Sequence, residues 1–271
     1  MAAHLKTSTH SPTLPQSLLR QVRCYGWLGL AMLVASAFGL SALQPLDVTL
    51  MWLAVALSVW LYVWRQCHKR LHQNHPVGGS VIYSTLGHGN NVTLLRGLLI
   101  AVTAGFILPA LLRPLPVVLL YIPAVAYTAA AIGDALDGVL ARRQQQVSRL
   151  GAELDTTLDA LGLLVAPVLA VITGKLHVSY LLVSIAYYLF VWGLRWRRQH
   201  GKAVYPLPPS QLRRQLAGWQ MGLVATALWP PIPGGVTQVL GVLFMIPLLI
   251  GFWRDWLAVS GRRGTSVGNA S

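Results

Sequence analysis

The stretch AIGDALDGVLARRQQQVSRLGAELDTTLDALG, residues 131–162, holds five of the seven acidic residues of a 271-residue chain. They are Asp134, Asp137, Glu153, Asp155 and Asp159. Asp134, Asp137, Gly138, Ala141 and Arg142 recur at i, i+3, i+4, i+7 and i+8, which is one face of a helix. Gly151, Asp155 and Asp159 recur at i, i+4 and i+8, one face of a second helix, and the polar residues QQQVSR between them read as a short connection. Apolar sequence continues away from this turn in both directions. The pattern predicts two antiparallel helices that bring four aspartates together at one end of long apolar segments. Ionisable groups at membrane depth are costly and default to function.

The composition agrees with a lipid setting. The chain is 55% hydrophobic and only 10% charged, whereas soluble domains carry about a quarter charged residues. Apolar runs cover about 24–43, 47–64, 92–112, 115–133, 156–174, 178–194, 217–233 and 235–253. Each is long enough to span a bilayer with some tilt, and backbone groups in lipid must be satisfied within the segment, so each is expected to be a helix. The predicted fold is an all-α, polytopic membrane bundle of about eight transmembrane helices. The organisation expected is a tail at 1–23, two helices and a basic, His-rich interfacial segment at 24–87, a six-helix core at 88–255, and a tail at 256–271.

Topology follows from the basic residues. With the N-terminus in the cytoplasm, 19 of the 21 Lys and Arg fall on the cytoplasmic side, leaving only Arg113 and Lys175 outside. Both termini are then cytoplasmic, and so is the aspartate end. The net charge of +14 is accounted for by this bias and by contact with anionic headgroups. No basic stripe with interleaved aromatics offers a face for nucleic acid. Cys24 and Cys67 fall near the reducing side, so packing rather than a disulfide is expected of both.

Three smaller features carry alternatives. Residues 20–37 resemble a signal peptide ending at Ala35-Ser36-Ala37, but the apolar run continues to Leu43, which favours an uncleaved anchor. His68, His72 and His75 lie at i, i+4 and i+7, a spacing that can bind a transition metal; an interfacial helix facing headgroups is the plainer reading. Trp64, Tyr180, Trp196 and Trp253 read as interfacial aromatic anchors.

Four carboxylates converging without Cys or His partners call for a hard cation, Mg²⁺ or Mn²⁺. Gly138 and Gly151 permit close approach to the backbone, and Arg142 can clamp a phosphate. Together these describe a site for phosphoryl or pyrophosphate chemistry.

The spacing D-x2-D-G-x2-A-R-x8-G-x3-D-x3-D is met at Asp134, Asp137, Gly138, Ala141, Arg142, Gly151, Asp155 and Asp159. It resembles the signature of the CDP-alcohol phosphatidyltransferase family. Asn90, Thr93 and Arg96 in GNNVTLLRG look like the opening N-x2-T-x2-R of that family's first core helix. PSQLRRQLAGWQM at 209–221 is similar to a segment of glycerophosphate-type members, with Arg213-Arg214 where those have Gly-Lys. The resemblance covers about 88–255. It implies transfer of a substituted phosphate from a CDP-linked donor, usually CDP-diacylglycerol, to an alcohol, with release of CMP.

By the same resemblance Asp134, Asp137 and Asp155 are principal ligands of two Mg²⁺ or Mn²⁺ ions. Asp159 is a further ligand and the general base. Gly138, Arg142 and Ser148 contact the donor, with Asn90, Thr93 and Arg96 lining the nucleotide site. Arg214 is the expected contact to a phosphorylated acceptor such as glycerol 3-phosphate, and a homodimer in the cell membrane is implied. The competing class is an ion or metal transporter built on intramembrane aspartates. No inverted repeat accompanies the acids, and they sit at one interface, which counts against it.

Overall fold

The computed structural model describes residues 14–207 and 210–262, apart from the side chain of Arg214. Among these residues nine α-helices follow in order: α1 (Gln16–Ser41), α2 (Leu46–Lys69), α3 (Gly87–Gly105), α4 (Ile107–Leu112), α5 (Val117–Arg143), α6 (Arg149–Ile172), α7 (Leu181–Gln199), α8 (Gln211–Ala227) and α9 (Gly234–Val259). No strand occurs among the described residues. The chain is a polytopic helical membrane protein.

Among the described residues seven segments are long and apolar enough to cross a membrane: α1, α2, α3 with α4, α5, α6, the turn-plus-helix 178–199, and α9. The apolar run expected at 217–233 does not become an eighth of this kind. Helix α8 starts earlier, on the polar residues Gln211 to Arg214, has 17 residues, and stops at the turn before Pro230 and Pro231. At 1.5 Å per residue it is about 25 Å long, short of the roughly 30 Å hydrocarbon core. It still connects the two ends of the bundle, packed against α5, α6 and α9.

Prolines and serines start several of the helices, and α1 at the aspartate end follows Pro15. At the end away from the aspartates α2, α5 and α9 follow Pro45, Pro116 and Pro233; proline has no N–H to leave unsatisfied and its φ is already helical. At the aspartate end α6 and α8 start on serine caps: Ser148 Oγ accepts from the Gly151 amide at 3.0 Å, and Ser210 Oγ from the Arg213 amide at 3.4 Å.

Helix α1 runs unbroken through Ala35-Ser36-Ala37 and packs Leu18, Val22, Leu33, Ala37 and Leu40 inward. It holds α2 through indole bonds, Trp60 Nε1 to the Gly26 carbonyl and Trp64 Nε1 to the Val22 carbonyl, each 3.1 Å. Tyr180 is not an interfacial anchor. It is 1% exposed and its hydroxyl donates to Gln220 Oε1, while Gln220 Nε2 donates to the Phe244 carbonyl at 2.6 Å. This buried chain ties the start of α7 to α8 and α9. No continuous helix carries His68, His72 and His75, because α2 ends at Lys69 and only a single 3₁₀ turn, Leu71–Gln73, follows.

Helix α3 occupies the centre. It packs along α5 on one side and α6 on the other, with α2 behind it, whereas α5 and α6 barely touch. The two aspartate helices are therefore not direct neighbours. A third helix lies between them.

Candidate active site

Glycine sets how closely α3 approaches α5. A Cβ at Gly89 would lie 2.8 Å from Ala141 Cβ and 2.9 Å from the Asp137 carbonyl oxygen. The Ala141 of the motif is thus a helix-contact position. About two turns further along α3, Arg96 enters the space between the aspartates. Its stem passes Gly133, where a Cβ would come within 2.8 Å of Arg96 Cγ. Any larger residue before Asp134 would push the arginine aside.

The Arg96 guanidinium meets all four aspartates. Nη2 lies 2.5 Å from Asp134 Oδ1 and 2.8 Å from Asp159 Oδ1; Nη1 lies 2.7 Å from both Asp137 Oδ2 and Asp155 Oδ1. The arginine side chain is 3% exposed, while those of Asp134, Asp155 and Asp159 are about a third or more exposed and form the open side of the cluster. One cation against four carboxylates leaves an excess of negative charge in a low-dielectric setting, where paired and hydrogen-bonded charge is the only tolerable kind.

Asp134, Asp155 and Asp159 each offer an oxygen, and these lie within 4.8 Å of one another. This is the one such group among the described residues, and its hard oxygen donors suit Mg²⁺ or Mn²⁺. The residues therefore fit a divalent cation. Asp137 stands apart from that triad. It is 7% exposed, and its Oδ2 also accepts from Thr93 Oγ1 at 3.0 Å. Thr93, itself buried, thus orients Asp137 from beneath.

Asn90 and Ser148 form the floor where α3 meets α6. Asn90 Nδ2 donates to Ser148 Oγ at 3.2 Å and to the Leu86 carbonyl at 2.8 Å. Gly151 is required here, since a Cβ would lie 2.6 Å from Asn90 Oδ1. Both polar side chains are buried and bonded within the protein, so Asn90, Thr93 and Ser148 support the cluster from below. Gly138 and Arg142 lie on the open face, the guanidinium folded back to 3.2 Å from where a Gly138 Cβ would be. Arg142 is exposed and makes no ion pair among the described residues. The side chain of Arg214 lies outside the described residues. Its neighbour Arg213 pairs with Asp255 at 3.0 Å.

Glu153, the fifth acid of the stretch, belongs to the scaffold. It binds Arg149 and Arg70, each at 3.2 Å. The residues missed in the sequence are Gly89 and Gly133. Gly133 directly precedes Asp134, but nothing in a single sequence says which side chain a glycine makes room for.

A family model for CDP-alcohol phosphatidyltransferase matches residues 87–259. The chain belongs to the CDP-alcohol phosphatidyltransferase family. The match starts where α3 starts and ends where α9 ends. This phosphatidyltransferase family transfers a phosphatidyl group from a CDP-alcohol and depends on divalent metal. No curated protein and no solved structure matches the chain. Helices α1 and α2 lie outside the matched region, yet they hold its entrance: Gln21 Oε1 accepts from the Leu86 amide at 3.0 Å, Ser17 Oγ donates to the Ser84 carbonyl at 2.8 Å, and Arg70 reaches Glu153.

Proposed function

We propose that the protein moves the phosphatidyl group of CDP-diacylglycerol to a small phosphorylated alcohol, such as glycerol 3-phosphate, in the cell membrane, with the aspartate end and both termini in the cytoplasm. The observation that carries this reading is the convergence of the four motif aspartates on one point, with Asp134, Asp155 and Asp159 open beside Gly138 and Arg142. It is further supported by the basic-residue bias of the sequence, which with a cytoplasmic N-terminus assigns 19 of the 21 Lys and Arg to the cytoplasmic side.

Asp134, Asp155 and Asp159 would hold Mg²⁺ or Mn²⁺, with Asp137 joining through its remaining oxygen. A bound cation there supplies charge neutralisation for the pyrophosphate and the departing CMP. Arg142, exposed and without an ion pair among the described residues, is suited to a donor phosphate, and Gly138, with no side chain, leaves room for the nucleotide once that guanidinium turns to the phosphate. The acceptor oxygen forms a bond to the phosphorus that carries diacylglycerol as the bond from that phosphorus to the CMP oxygen breaks. Asp159 takes the acceptor proton on a carboxylate oxygen. Arg214 is the proposed contact to the acceptor phosphate, and the assembly proposed from family resemblance is a homodimer.

The test is a panel of radiolabelled alcohols offered with CDP-diacylglycerol and Mg²⁺ or Mn²⁺, reading both CMP and the lipid product. Metal-dependent CMP release with one phosphorylated acceptor is expected. Release with only unphosphorylated alcohols would overturn the acceptor class. No release with any would overturn the donor.

A further inference from the structure

Arg96 is more than a lining residue. One oxygen of each of the four aspartates points at its two terminal nitrogens, at 2.5–2.8 Å. The guanidinium occupies the point on which those oxygens converge, and the three-aspartate group that would take a metal is made of residues it already binds. Its position is built rather than incidental, since the stem is threaded past Gly133 and the side chain is almost wholly buried. Arg96 Nε, in contrast, is buried without a hydrogen-bond partner, so this seat does not satisfy the guanidinium fully.

We infer that Arg96 is the resident counter-ion of the aspartate cluster, and that a divalent cation gains ligands by taking carboxylate oxygens from it. The inference rests on the proposal that these aspartates hold metal. Four like charges at this spacing would repel without a cation among them. Arg96 lets the bundle assemble around its active site before metal arrives. The same contacts oppose metal binding, because an oxygen turned to the guanidinium is not free to coordinate. Metal affinity and metal-free stability are thus set against each other by one side chain.

The experiment uses the full chain in detergent and follows Mn²⁺ binding by electron paramagnetic resonance, with thermal unfolding in chelator as a second readout. Arg96→Gln removes the charge and most donors. It is expected to bind Mn²⁺ at least about tenfold more tightly, the equivalent of one charge-assisted hydrogen bond, and to melt at lower temperature in chelator. Mn²⁺ should then raise its melting temperature more than that of the wild type. Arg96→Lys keeps the charge but cannot fork to four carboxylates, so it separates shared oxygens from simple charge. It too should bind Mn²⁺ more tightly, and it carries the test if Arg96→Gln is not recovered folded. Arg96→Lys binding no more tightly than the wild type would overturn the inference, because the metal would then use oxygens the guanidinium does not hold. Weaker binding in Arg96→Gln would overturn it as well. If the wild type and both variants bind no Mn²⁺, the metal reading fails along with it, a result distinct from equal binding by all three.

Discussion

The bundle places a cation at each end, and the two are held in opposite ways. At the aspartate end Arg96 is shared among four carboxylates whose combined charge exceeds its own. At the other end Lys175 donates to three backbone carbonyls of the α8–α9 turn, Trp229 at 3.1 Å, Pro230 at 2.9 Å and Ile232 at 2.6 Å. Its own carbonyl accepts from Thr237 Oγ1 at 2.5 Å. Lys175 therefore closes a turn that has no charge to balance. Its partners are complete, and nothing about them invites a ligand. Arg96 sits in a surplus of acid that remains partly open to solvent. The second basic residue of the far end, Arg113, is likewise accounted for by its pair with Asp47. A cation whose neighbours are neutral carbonyls reads as structure, and one outnumbered by carboxylates reads as a place where more positive charge is expected.

That contrast can be broken most directly at Asp159. Asp159→Asn keeps shape and removes a charge, and turnover measured as CMP release is expected to fall by about 10²–10⁴-fold. Its melting temperature in chelator should stay near the wild-type value, since Arg96 keeps three carboxylates. Near-normal turnover would remove Asp159 from the chemistry.

Gly133→Ala tests the same end through packing. The added methyl meets Arg96 Cγ at 2.8 Å, and overpacking of this kind costs about 1–3 kcal/mol. Turnover is expected to drop with stability, because the arginine must move. A fall in stability alone would mean that the position of Arg96 does not matter to catalysis.

Lys175→Ala tests the far end. Loss of its carbonyl bonds is expected to cost about 1–3 kcal/mol, read as a lower melting temperature, with the acceptor and donor KM of the folded protein unchanged. A changed KM would show that the two ends are coupled. The smallest effect is expected from Asp47→Asn. Its partner pairing with Arg113 is at the exposed margin, and such pairs contribute little, so neither melting temperature nor CMP release should move measurably.

How far the sequence could be read depended on what each residue interacts with. Chain-local regularities were legible. The i, i+3, i+4 and i, i+4, i+8 spacings placed the aspartates on two helix faces, and apolar run length with basic-residue bias set a helical membrane bundle whose charged end is the aspartate end. These depend on helix period and on the cost of charge in lipid, which are properties of the chain in its solvent. Tyr180 was misread because an amphipathic ring near a helix end is equally suited to an interface or to a buried partner, and Gln220 lies 40 residues away. Helix α8 was misplaced because Gln and Arg at its start break the apolar run without breaking the helix.

The site shows the same division. The sequence alone predicted that Asp134, Asp137, Asp155 and Asp159 come together, with Gly138 and Arg142 on the same helix face as the first pair. Only the tertiary structure decided that α3 stands between the two aspartate helices, that Arg96 is the centre on which they converge, and that Asp137 is turned toward Thr93 while the other three form the open triad. Those relations join residues 38 to 63 positions apart, and they depend on how closely Gly89 and Gly133 let one helix approach another. No periodicity within a single segment encodes such a distance, because it is fixed only when the helices pack.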